Sequence, residues 1–188
     1  GGQARVFAEG EVGWGAWSPD GNAIVYPTGD TLFVRQLDAT DRRMVAVGTE
    51  IHSPAWSPDG EWIAFVEGNP GFYVNGNIAS SAIRVVPASG GAPVAVTAHD
   101  GINLRPIWVP GRRSLLFISD RDGGRDIYEV ALKSSGKPAG APRRVTTGLS
   151  PEWISLSADG SRIAWSVYTE ASNVWSLPVS PRDSLPLS

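Results

Sequence analysis

Short apolar runs, each flanked by Gly, Pro, Asp or Ser, recur along this chain: Ala23-Ile24-Val25-Tyr26, Trp62-Ile63-Ala64-Phe65-Val66, Leu115-Leu116-Phe117-Ile118 and Ile163-Ala164-Trp165-Ser166. Runs this short, rich in β-branched and aromatic residues, predict strands rather than helices. A turn signal precedes each. Trp17-Ser18-Pro19-Asp20-Gly21 and Trp56-Ser57-Pro58-Asp59-Gly60 are near copies. Trp108-Val109-Pro110-Gly111 lacks the Asp, and Leu156-Ser157-Ala158-Asp159-Gly160 lacks the Trp and Pro. Pro presets φ, Asp accepts from nearby amides and Gly supplies a positive φ, so each segment predicts a tight turn joining two strands.

The units start at 17, 56, 108 and 156, a repeat of 39 to 52 residues that suits a four-stranded propeller blade. Third strands are expected at Leu32–Val34, Ile83–Val86, Asp126–Val130 and Asn173–Leu177. More polar outer strands are expected at Arg43–Ala46, Pro93–Val96 and Arg143–Thr146. The fold expected is all-β: a β-propeller of four blades, each a four-stranded antiparallel sheet, at about 11–48, 51–97, 100–147 and 149–179. Residues 3–8 match the outer-strand pattern and are expected either to close the last blade or to mark a cut through a larger ring, and 180–188 form a tail.

Composition sharpens this picture. The 22 Gly and 15 Pro among 188 residues fit many turns and few helices. A net charge of -3 with scattered arginines leaves no basic field for a phosphate backbone, so no nucleic-acid partner is expected. With no cysteine, disulfides, thiolate metal sites and a Cys nucleophile are excluded. No apolar run approaches the roughly 20 residues that cross a bilayer, so no membrane insertion by this chain is expected. The Gly1-Gly2 start looks like a processed end.

The Trp-Ser-Pro-Asp-Gly units, with Asp120-Arg121-Asp122-Gly123-Gly124-Arg125-Asp126-Ile127-Tyr128, resemble the WD40-like PD40 repeats of TolB, of tricorn-type and prolyl-oligopeptidase-type peptidase propellers, and of sensor regions of bacterial Ser/Thr kinases. The resemblance covers residues 3 to 179. Two segments, Gly136–Gly148 and Asn173–Pro178, look most like the kinase-linked group. The repeat specifies the fold closely and the function hardly at all.

Chemistry is sparse. The elbow of a serine hydrolase, the His-Glu-x-x-His of a zincin and the phosphate-binding loop are all missing, so no enzyme and no cofactor are expected. His52 and His99 lack a third metal ligand. Asp120, Asp122 and Asp126 are a calcium candidate, against the alternative that they cap a hairpin with Arg121 and Arg125 balancing their charge. Asp20, Asp59 and Asp159 recur with the repeat and are expected to be structural. Trp17, Trp56, Trp108, Trp165 and Trp175 are expected in the core between blades.

Trp14 and Trp153 stand apart, three residues before Trp17 and Leu156, where Ser53 and Arg105 stand in the other two units. With His52, Asn103 and Glu152 they are expected to ring the funnel mouth, as a ligand-binding site for a protein, a peptide or a small ligand. The aromatic insertion Gly68–Asn77 is a second candidate. The expected function is a noncatalytic recognition module, the extracytoplasmic sensor part of a larger receptor. The alternatives are the gating propeller of an S9-type or tricorn-type peptidase, and a scaffold subunit that self-associates if its ring is not closed.

Overall fold

The computed structural model describes residues 6–7, 13–71 and 78–169, and every regular element among them is a strand. The first sheet comprises β1 (Ala16–Trp17), β2 (Ala23–Thr28), β3 (Thr31–Gln36) and β4 (Arg43–Val47). The second comprises β5 (His52–Trp56), β6 (Trp62–Gly68), β7 (Ser81–Pro87) and β8 (Val94–Ala95). The third comprises β9 (Asn103–Trp108), β10 (Ser114–Ser119), β11 (Asp126–Ala131) and β12 (Arg143–Arg144). The fourth pairs β13 (Pro151–Leu156) with β14 (Ile163–Val167). All neighbours are antiparallel and sequential, the arrangement of propeller blades.

The expected strand at 173–177, Trp175 and the tail lie outside the described residues. Of the 3–8 segment, Val6 and Phe7 are described and are not in a strand. Phe7 lies on the first sheet, its ring edge-on to Tyr26 at 6.4 Å and its carbonyl accepting from Arg35.

The repeated turn forms one hydrogen-bond unit. In each of three sheets the first Ser hydroxyl donates to the Asp (Ser18 to Asp20, Ser57 to Asp59, Ser157 to Asp159) and accepts from the amide that opens the next strand (Ala23, Trp62, Arg162). The Asp also accepts from the amide two residues on. Gly21, Gly60 and Gly160 take φ of 72°, 73° and 71°, which a side chain would disfavour. The third sheet, lacking the Asp, reaches the same end through Pro110-Gly111, with φ of 72° at Gly111 and the Arg112 amide bonded to the Val109 carbonyl. The Ser–Asp–Gly pattern therefore builds the hairpin itself in three of the four sheets.

Successive sheets bury their faces on one another. Ile63, Phe65 and Val86 of the second sheet pack with Val25, Leu32 and Val45 of the first, and Ala64, Val66 and Ile83 pack with Leu115, Phe117 and Ile127 of the third. Trp108 seals the second seam, donating from Nε1 to the Ala55 carbonyl at 3.0 Å. Among the described residues the ring is not closed. Trp17, the counterpart of Trp108, is 58% exposed because no sheet precedes it among the described residues, and Trp165 is 47% exposed. Of these three tryptophans expected in the core, Trp108 is buried and Trp17 and Trp165 are not.

Candidate functional site

The inner strands carry their irregularities at the same end. Between β5 and β6 the register steps from His52↔Val66 to Ala55↔Ala64, and between β9 and β10 from Leu104↔Ile118 to Ile107↔Leu116. Each step is a bulge, and the extra residue lies in left-handed backbone: Ser53 at φ 49° and Arg105 at φ 56°. Proline follows both, tolerated because a bulge frees the ladder position its missing N–H would fill. A non-glycine in this region costs on the order of 1–2 kcal/mol, strain that persists only where the surroundings hold it.

At the third sheet the bulged residue is an arginine, and it meets two indoles. The Arg105 guanidinium carbon lies 3.1 Å from the Trp153 ring centroid and 5.6 Å from that of Trp14, and the two rings are 5.4 Å apart at a 39° tilt. Arg105 is only 8% exposed, whereas Trp14 is 55% and Trp153 44% exposed. The cation is thus the base of the cluster and the indoles are its outward surface. Burial lowers the Arg105 pKa to about 10, with Glu152 opposing the shift. Glu152 is also ion-paired with Arg125 from the turn before β11. The structure therefore joins Trp14, Arg105, Glu152 and Trp153 across three sheets.

His52 stands behind this group. Its Nε2 is 2.9 Å from the Gly68 carbonyl, which requires Nε2 to carry the proton, and its Nδ1 accepts from the Ser53 hydroxyl at 2.9 Å. Burial pushes its pKa down to about 4, the Gly68 bond opposing this and the Arg105 charge adding to it. His52 is neutral at physiological pH. Its geometry fixes the base of the 68–77 insertion, whose residues 72–77 lie outside the described set.

Asn103 has a different place from the one expected. It is 1% exposed, donates from Nδ2 to the Ser81 carbonyl at 2.8 Å, and accepts at Oδ1 from Arg121 at 2.8 Å and Ser119 at 3.2 Å. It ties the second sheet to the third and presents no group to a partner. The reason is register: Asn103 lies opposite Ser119 at the start of β9, inside the seam.

The three aspartates of the calcium candidate have separate duties. Asp120 accepts from the Ile102 amide at 2.8 Å and Asp122 from the Tyr128 hydroxyl at 2.8 Å. Asp126, fully buried, is paired with Arg144 and accepts from the Thr146 hydroxyl and the amides of Gly148 and Leu149. Among the described residues, no three His, Cys, Asp or Glu side chains are placed to hold a metal ion. Arg121 and Arg125, expected to balance these aspartates, instead serve Asn103 and Glu152. Spacing in sequence could not show this, because both arginines reach across to another strand or sheet.

The family model for PD40, the TolB β-propeller domain, matches residues 14–180. The chain belongs to this family. TolB of the Tol-Pal system from Bordetella pertussis is 42% identical over 53 residues, 28% of this chain and 12% of that protein. The crystal structure of TolB from Acinetobacter baumannii aligns with a TM-score of 0.68 at 25% identity, over 86% of this chain and 39% of that one. A puromycin-hydrolyzing peptidase from Mycobacterium tuberculosis aligns with a TM-score of 0.61 at 25% identity, over 80% of this chain and 26% of that one. The chain thus spans well under half the length of these relatives. The PD40 blades are common to proteins with and without enzymatic domains, so the fold alone does not fix activity.

Proposed function

We propose that this PD40 propeller is a noncatalytic recognition module that binds a protein or peptide at the funnel mouth through Trp14, Arg105 and Trp153. One observation carries the reading: two exposed indoles from the first and fourth sheets converge on a buried arginine that a strained bulge aims at them. Exposed Trp surface around a fixed cation matches the makeup of binding hot spots, where aromatic and Arg side chains dominate the energy. Likeness to TolB supports a protein partner and, with it, a place outside the cytoplasm. A sensor role within a larger receptor is part of the same proposal.

The test is selection of binders from a random peptide library on the wild-type chain, followed by titration of the selected peptides against a Trp14→Ala/Arg105→Ala variant checked for folding by circular dichroism. Binding to the wild type and loss on the folded variant is the expected result. Equal binding to both would place recognition elsewhere, and failure to select any binder would count against peptide recognition. The peptidase-gate reading draws on the Mycobacterium likeness and predicts a hydrolase segment in the same polypeptide.

A further inference from the structure

Away from the funnel mouth, each seam between sheets opens into a cleft beside the repeated turn, and the three clefts differ in charge. The first, about 440 Å³, sets Asp20 and Asp59 against Arg43. The second, about 220 Å³, holds Asp59 with Arg112 and Arg113, and Arg113 is paired with Asp59 at 3.7 Å and Glu61 at 3.2 Å. The third, about 240 Å³ between the third and fourth sheets, is lined by Arg112, Arg143 and Arg162 with one carboxylate, Glu129.

That carboxylate is fully engaged. Arg143 lies 2.8 Å from its Oε2, while Arg112 at 3.6 Å and the Ser114 hydroxyl at 3.0 Å share its Oε1. Arg162 forms no ion pair among the described residues, and its backbone amide is held by the Ser157 hydroxyl at 2.9 Å. Three arginines and one carboxylate thus line the cleft, leaving its lining with positive charge in excess.

The floor of the same cleft is apolar. Val109, Leu116, Val145, Leu156 and Ile163 line it. At this seam the repeat has Leu156 where the other blades have Trp, so no indole seals it as Trp108 seals the seam before. Side chains alternate along β14, so Trp165 shares the face of Ile163 and stands exposed on it.

We infer that this cleft binds a small organic anion, a carboxylate on a short apolar stem, with Arg162 and Arg143 holding the carboxylate and the aliphatic floor taking the stem. Guanidinium geometry matches a carboxylate in bidentate fashion. The volume lies below the roughly 300 Å³ at which drug-sized pockets begin, which limits the ligand to a few carbons beyond the acid group. This site is independent of the funnel mouth.

Amide NMR of the full chain, titrated with hexanoate and separately with hexylammonium and with sulfate, tests it. Hexanoate should give saturable shifts confined to residues lining the cleft, at 109–116, 143–145 and 156–163, while hexylammonium and sulfate leave them in place. Arg143→Gln/Arg162→Gln should weaken hexanoate at least about tenfold, a loss of about 1.4 kcal/mol. Leu156→Trp should block binding by filling the floor, and the two exposed-arginine changes keep the test valid should that variant misfold. No saturable hexanoate shift, or equal shifts from hexylammonium, would overturn the site. Equal shifts from sulfate would overturn the role of the apolar floor, and unchanged affinity in the double Gln variant the role of the arginines.

Discussion

The Arg105 guanidinium lies 3.1 Å over the ring of Trp153, a residue of the neighbouring sheet, and it is there because a bulge turns Arg105 out of the β9 ladder. Stacking of a desolvated guanidinium on an indole is worth about 2 kcal/mol. Trp153→Ala should therefore destabilise the chain by about that amount in urea unfolding, whereas Trp14→Ala, with the cation 5.6 Å away, should cost less. Equal losses would show that the two rings share the cation evenly.

Trp108 bridges two sheets through its Nε1 bond to Ala55. Trp108→Phe keeps most of the apolar contact and leaves the carbonyl without its donor. Unfolding should move to lower urea by an amount equivalent to about 2 kcal/mol. A midpoint unchanged from wild type would mean that the seam is held by apolar packing alone.

Asp126 is the hub at the start of β11. Burial by itself would raise its pKa, but Arg144, the Gly148 and Leu149 amides and the Thr146 hydroxyl outweigh that and hold it at about 2, below its ordinary 3.8. The folded state thus binds this proton less readily than the unfolded chain. Its stabilisation is fully present above the ordinary carboxylate range and disappears as pH falls from about 4 through about 2. Asp126→Asn should destabilise the chain at neutral pH, since the Thr146 hydroxyl, the Gly148 and Leu149 amides and Arg144 lose their charged acceptor, and should flatten the acid limb of a stability-against-pH curve.

His52 acts in a higher window. Its folded pKa of about 4 lies below the ordinary 6.5, so between these values the unfolded state binds more protons. Stability is therefore intact above pH 6.5 and falls by up to about 1.4 kcal/mol per pH unit as pH drops toward 4. His52→Gln, which retains a donor for the Gly68 carbonyl, should remove that slope. Thermal unfolding of both proteins across the window is the measurement, and identical slopes would show that His52 is not the titrating group.

Sequence alone determined the strands and turns of this protein, because these depend on neighbours a few residues apart. The short apolar runs marked β2, β6, β10 and β14, and Ser-Pro-Asp-Gly at 18–21 and 57–60 specified hairpins whose hydrogen bonds close within the same segment. Equivalence between repeats also placed Trp14, Arg105 and Trp153 at one end of the blades. The Ser53-Pro54 and Arg105-Pro106 pairs are a legible trace of the bulges, since a bulge is one of the few places where a strand accommodates proline.

What only the tertiary structure decided was how residues far apart in the chain share space and charge. Arg125 turned to Glu152 and Arg121 to Asn103, Asn103 sank into a seam, and the three nearby aspartates parted toward three different sets of donors. Burial separated Trp108 from Trp17 although both hold the equivalent place in the repeat. The physical reason is common to all of these. Desolvation and long-range pairing depend on which sheet lies opposite, and that is set by the packing of whole blades rather than by the residues on either side.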